Sequence, residues 1–164
     1  MHFSATSDYP ADATTVAAML ADEDFARRRA AATGPLEQST EVTRDGEAFT
    51  VTTKLKMPTT MVPPKFRSFA PSSLNVTLVE AWAAPAADGV RTSAFTVDIQ
   101  GVPAKVRGTQ KLAPSAAGST MTYDGEVTAS IPLVGKKMEQ MAVAAVDKIV
   151  QVERRVALEY LAEH

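Results

Sequence analysis

Hydrophobic and polar positions along the chain follow three successive rhythms. A short strand at residues 2–8 ends at Tyr9-Pro10, and apolar positions then recur at helical spacing. Asp12 reads as an N-cap, with Val16, Ala17 and Leu20 on one helix face behind it. Asp22 reads as the cap of a second short helix, which turns Phe25 and Ala26 inward and stops at Gly34-Pro35.

From Leu36 the period becomes two. Asp45-Gly46 is a hairpin signal. After it Phe49, Val51, Thr53, Leu55 and Met57 share one face, while Thr50, Thr52, Lys54 and Lys56 share the other, as in a half-buried antiparallel strand. Further strands are expected over 74–83, 90–100, 104–113 and 119–131, joined by turns at Pro85 to Gly89, Gly101 to Pro103 and Pro114 to Gly118. Short turns between successive strands predict a meander. The stretch from Pro58 to Pro71 breaks this rhythm. Its four prolines (Pro58, Pro63, Pro64 and Pro71) exclude an interior strand. It carries Met61, Val62, Phe66 and Phe69, and two readings stand for it: packing on the core, or a lid over a pocket.

The third rhythm is helical again. Pro132 suits a first helical turn, and Val134, Met138, Met141, Ala145, Ile149, Val152 and Val156 form one apolar stripe. A helix of about 28 residues spans about 42 Å. With one apolar face, it must lie on the sheet.

Composition then narrows the function. The chain has 164 residues, 45% hydrophobic and 22% charged, which fits one globular domain over 1–164. A net charge of −2 gives no footprint for nucleic acid. The run Arg27-Arg28-Arg29 reads as a solvated helix face with one arginine paired to a carboxylate. No secretory signal and no membrane-spanning run appears, so a cytoplasmic protein without stable membrane insertion is expected. There is no Cys, and the two histidines are His2 and His164. Disulfides, thiolate zinc sites, Cys nucleophiles and an internal His base are thereby excluded. No Ca²⁺ loop or phosphate-binding glycine loop is present, so neither metal nor cofactor is expected.

The order of elements resembles the helix-grip fold of the START/Bet v 1-like superfamily, also called polyketide cyclase/SRPBCC. The resemblance is carried by the Phe3 to Ser7 strand, the helix pair around Met19-Leu20-Ala21-Asp22 and Phe25, the meander from Leu36 to Ala129, and Ile131-Pro132-Leu133-Val134-Gly135-Lys136-Lys137-Met138-Glu139 opening the last helix. Within the superfamily the chain looks most like the actinobacterial DUF2505 group. The resemblance implies an α+β fold: a curved antiparallel sheet of about seven strands around the long C-terminal helix, with two short helices after the first strand. It also implies an apolar cavity between sheet and helix, in a superfamily that binds lipids, sterols or polyketides and includes cyclases.

The expected lining of that cavity is Phe49, Val51, Leu55, Val76, Leu78, Trp82, Phe95, Val97 and Tyr123 from the sheet, with Met138, Met141, Ala145 and Ile149 from the helix. Met61, Val62, Phe66 and Phe69 are the lid candidates. The leading expectation is binding or transport of a small apolar molecule. A cyclase- or aromatase-type enzyme instead requires Tyr123 and one of Glu80, Asp98, Arg107 or Gln110 to converge on the cavity. A protein-interaction module requires a large exposed apolar patch.

Overall fold

The computed structural model describes the backbone of residues 1–164 and every side chain except those of Met61 and Phe69. Strand β1 (His2–Tyr9) leads into α1 (Ala13–Leu20) and α2 (Glu23–Ala31). Six strands follow: β2 (Glu37–Asp45), β3 (Ala48–Pro58), β4 (Ser73–Trp82), β5 (Arg91–Ile99), β6 (Ala104–Ser115) and β7 (Gly118–Ala129). The chain ends in α3 (Gly135–Glu163). Both short helices start where their caps predict. Asp12 accepts the Thr15 N–H at 2.7 Å, and Asp22 accepts that of Asp24 at 2.9 Å, filling donors that the first helical turn leaves open. Between β3 and β4 the proline-rich segment forms two 3₁₀ turns, Thr59–Met61 and Pro64–Phe69, because proline denies the sheet its N–H groups.

The seven strands make one antiparallel sheet in the order β1-β7-β6-β5-β4-β3-β2. This is the helix-grip α+β fold. Its register stacks the concave face in rows. One row runs Ala5, Tyr123, Gln110, Ser93, Trp82, Phe49 from β1 across to β3. The next runs Phe3, Gly125, Gly108, Phe95, Glu80, Val51. Below it lie Val127, Val106, Val97, Leu78 and Thr53, and then Ile99, Val76 and Leu55. Gly108 and Gly125 face each other across two strands because aromatic rings lie over them. A Cβ on Gly108 would stand 2.7 Å from the Phe95 ring, and one on Gly125 2.6 Å from the Phe3 ring.

The helices cover this face unevenly. α1 lies on β6 and β7, α2 on β2 and β3, and α3 on β1 and β7. At the α1–α2 end, Val16, Met19, Phe25, Trp82, Leu112, Met121, Ala157 and Tyr160 close into a core, with Phe49 stacked on Trp82 at 6.1 Å. Mid-sheet, Ala142, Val143 and Val146 of α3 settle over Phe3, Phe95 and Val127.

The face that α3 turns inward is not the predicted one. Ala145 and Ile149 point to solvent, Ile149 being 60% exposed, and Met138, Met141 and Val152 are half-buried. The buried positions are Gly135, Val150, Val156, Ala157 and Tyr160, of which Val156 belongs to the predicted stripe, with Ala142, Val143, Val146 and Glu153 partly buried beside them. The inward stripe is offset by one residue, a rotation of roughly 100°. Small alanines and two partnered glutamates disguise it: Glu139 accepts the Ala129 N–H, and Glu153 accepts the Tyr123 hydroxyl. The helix also starts later than expected. Pro132 lies in the preceding turn, where Leu133 adopts φ 69° and is fully exposed.

Candidate functional site: a half-covered apolar face and a buried polar cluster

Burial varies down the concave face, with Val127, Thr53 and Met57 buried in the lower rows as well. The upper rows are sealed, holding Phe49, Val51, Trp82, Phe95 and Tyr123 at 8% exposure or less. In the lower rows Leu55, Val76, Leu78, Val97, Ile99 and Val106 all retain intermediate exposure although they point inward. These inward apolar side chains that water still reaches make up an incompletely covered stretch of the concave face. At the start of α3, Met138, Met141 and Ala142 are likewise half-buried. The proline-rich segment forms a lip between β3 and β4. Phe66 is buried there and Val62 half-buried, whereas the side chains of the other two lid candidates, Met61 and Phe69, lie outside the described residues. Lys65 of this lip stands beside Lys137 of α3, whose positive charge holds the Lys65 amine below the usual lysine range. The expected lining therefore divides. Leu55, Leu78 and Val97 are inward and half-exposed, while Phe49, Val51, Trp82, Phe95 and Tyr123 are buried.

Within the sealed upper rows the sheet carries polar side chains. Glu80 is 2% exposed and accepts both Nη atoms of Arg29, in a bidentate pair reaching from α2 to β4. Gln110 Nε2 donates to Glu80 Oε1 at 3.1 Å. Arg29 Nη1 also reaches Glu153 Oε2 at 3.5 Å, and the Tyr123 hydroxyl donates to Glu153 Oε1 at 2.8 Å. One network thus ties α2, β4, β6, β7 and α3.

Burial would strip the charge from Arg29, but Glu80 and Glu153 more than reverse this, and its pKa is raised. Glu153 is pushed up by burial, which the Arg29 charge only partly offsets. Tyr123 is raised by burial and by the Glu153 charge beside it. Tyr9 shifts the same way for the same two reasons. Its hydroxyl approaches Ser7 and Tyr123 without reaching hydrogen-bond geometry. Among the described residues, Ser7 Oγ, Tyr9 Oη, Thr53 Oγ1 and Gln110 Oε1 are buried without a hydrogen-bond partner.

Of the polar residues that the enzyme reading requires, Tyr123, Glu80 and Gln110 come together. Asp98 and Arg107 point to solvent. Arg29 and Glu153 complete the cluster; Arg29 is the paired arginine of the Arg27-Arg28-Arg29 run but is buried rather than on a solvated face, and Glu153 was not singled out. For Arg29 a signal exists: it stands four residues after Phe25, on the helix face that Phe25, Ala26 and Ala30 bury. Glu153 carries the same kind of signal between Val150 and Ala157, but the competing stripe through Ile149 obscures it.

Comparison with other proteins agrees with this architecture. No curated protein matches the chain in sequence. Among solved structures, TTHA0849 from Thermus thermophilus superposes with a TM-score of 0.62 at 15% identity, over 98% of this chain and 99% of that one. A STAR-related lipid transfer protein from Xanthomonas axonopodis gives 0.56 at 16% identity, over 93% and 85%. The human StarD13 lipid transfer and protein localization domain gives 0.56 at 15% identity, over 94% and 76%. These likenesses establish the START/Bet v 1-like fold. Residues 4–161 match the family described as "Protein of unknown function (DUF2505)", and the chain belongs to that family.

Proposed function

We propose that this chain, acting as one domain, binds a small apolar molecule in the groove between the lower sheet, the start of α3 and the proline-rich lip. The observation that carries the reading is the half-exposure of Leu55, Val76, Leu78, Val97, Ile99 and Val106 on the concave face. Six apolar side chains that face the interior and still meet water gain free energy when an apolar ligand covers them, at about 25 cal/mol per Å². Two structural neighbours bear names that refer to lipid transfer, which supports the same reading. No helix of the described residues is long and apolar enough to cross a membrane, so the apolar surface in question is the groove and not a spanning helix.

A cyclase- or aromatase-type enzyme finds its polar groups gathered, since Tyr123, Glu80 and Gln110 converge. They converge on Arg29 and Glu153 rather than on the open half of the groove, which favours binding over turnover.

Titration with Nile red tests the proposal. Saturable fluorescence enhancement is expected, and Leu78→Trp, which fills the groove wall, should weaken it at least tenfold while the far-UV circular dichroism spectrum stays unchanged. Enhancement that does not saturate, or that Leu78→Trp leaves intact, overturns it. Native mass spectrometry of freshly purified protein should also show a co-purifying adduct that organic extraction removes.

A further inference from the structure

The turns at one end of the sheet gather basic charge. Leu36 donates its N–H to the Lys56 carbonyl, Ser73 pairs with Pro58 across the proline-rich segment, Gln100 donates to the Asn75 carbonyl and Ser130 to that of Pro103. The start of β2, the lip, the β5–β6 turn and the β7–α3 turn therefore lie at the same end. The sequence that builds this end is poor in carboxylates: residues 48–79, 99–123 and 127–138 contain no Asp or Glu. Of the acids that approach it, Asp98 pairs with Lys105 at 3.5 Å, Glu37 stands opposite Lys56, and Glu139 accepts the Ala129 N–H. Lys65, Arg67, Lys136 and Lys137 are exposed and, among the described residues, form no ion pair. Arg67 is fixed to its own loop instead, donating to the Val62 and Thr60 carbonyls at 2.9 and 3.3 Å. Unbalanced cations thus share one end of a chain whose net charge is −2.

Leu133 projects from the same end, three residues before Lys136. Its side chain is fully exposed, and its φ of 69° lies in the left-handed region that an apolar residue seldom occupies. The turn is pinned. The Gly135 N–H donates to the Ile131 carbonyl at 2.8 Å, and a Cβ on Gly135 would stand 2.2 Å from the Ala129 carbonyl oxygen. A side chain so exposed adds no packing to the fold, and glycine would suit its backbone better. An apolar side chain among cations has the two parts of an interfacial anchor: area to bury at head-group level, and positive charge for an anionic leaflet.

We propose that this end of the molecule docks on an anionic membrane surface, with Lys65, Arg67, Lys136 and Lys137 on the lipid head groups and Leu133 inserted at the acyl boundary. The contact is peripheral: one leucine enters the interface, and no helix enters the bilayer. Each basic side chain near an anionic leaflet strengthens binding about fivefold, so the four together supply roughly several hundredfold, and salt screens most of it. A protein partner would need a matching hole for Leu133, whereas a fluid acyl layer takes it without one. The proposal does not depend on the groove reading, since vesicle binding and dye binding are separate readouts.

Co-sedimentation with large unilamellar vesicles tests it. Binding to phosphatidylcholine vesicles that contain about one third phosphatidylserine is expected to be at least tenfold tighter than to phosphatidylcholine alone, and to weaken at least tenfold as salt rises from about 0.1 M to about 0.5 M. Lys136→Glu combined with Lys137→Glu should cut the affinity for anionic vesicles at least tenfold. Leu133→Gly should cut it about threefold while the melting temperature stays equal or rises, because glycine relieves the left-handed backbone. A residue with a merely structural role would lower the melting temperature instead. Equal binding to both kinds of vesicle, or anionic binding that either variant leaves intact, overturns the proposal. So does the absence of vesicle binding, which leaves the basic face to an acidic protein partner. In every case saturable Nile red binding stands or falls by itself.

Discussion

At the scale of single residues, short local contacts join distant parts of the chain through groups that titrate. Tyr160, near the end of α3, donates its hydroxyl to the Asp22 carboxylate that caps α2, while its ring packs edge-on against Phe25 at 5.7 Å. That hydrogen bond is the main reason the Asp22 carboxyl lies below the usual carboxylate range, and burial together with Asp22 pushes Tyr160 up to about 12. A lowered carboxyl pKa stabilises the fold above the ordinary value and loses that contribution as pH falls through the lowered one. Tyr160→Phe should therefore cost about 1–2 kcal/mol at neutral pH. The difference should stay constant down to about pH 5 and shrink at more acid pH, because the unfolded Asp titrates near 3.9. Thermal melts of both proteins between pH 2.5 and 7 check this, and a difference that grows on acidification contradicts the assignment. Glu153 runs the other way. Its raised pKa favours the folded state at low pH, and that contribution is lost as pH rises through the raised value.

At the scale of elements, α3 shows how far hydrophobic pattern leads and where it misleads. The long helix, its approximate start and its docking on the sheet follow from the sequence. Its rotation does not, because two apolar stripes adjoin and the bulkier one is covered only in part, with Met138 and Met141 half-buried and Ile149 exposed. Val150→Ala should cost about 2 kcal/mol, whereas Ile149→Ala should stay within about 0.5 kcal/mol of the parent. Urea unfolding of the pair measures this, and equal losses would restore the predicted stripe. The strands were more legible, since a period of two leaves only a choice of face and the Asp45-Gly46 turn pins the register. The inward phase of Leu55, Leu78 and Val97 was legible in the same way. The polar cluster was legible only in part: Tyr123 shows itself in inward phase, phase alone does not choose among Glu80, Asp98, Arg107 and Gln110, and pairing across α2 and α3 is a long-range event without local spacing. Arg29 and Glu80 lie 51 positions apart, and Tyr123 and Glu153 lie 30 apart.

At the scale of the whole molecule, the upper half is closed by three helices and tied through Arg29, while the lower half is bounded by 3₁₀ turns and the first turns of α3. The like charges of Lys65 and Lys137 meet where lip and helix approach. Their repulsion is modest and screened by salt, but it opposes tight closure. Hydrogen exchange should reflect this division. Amides of 59–73 should exchange at least tenfold faster than those of the upper parts of β6 and β7, and saturation with an apolar ligand should slow the first group more than the second. Uniform protection throughout would contradict it. The facing glycines at 108 and 125 bear on this economy of space. The Phe95 and Phe3 rings fill the space that side chains at these positions would take, and they belong to the cluster on which Ala142 of α3 packs. A methyl group added at either glycine would collide with a ring and with a carbonyl of the neighbouring strand, so two absent side chains set how closely the helix can seat on the sheet here.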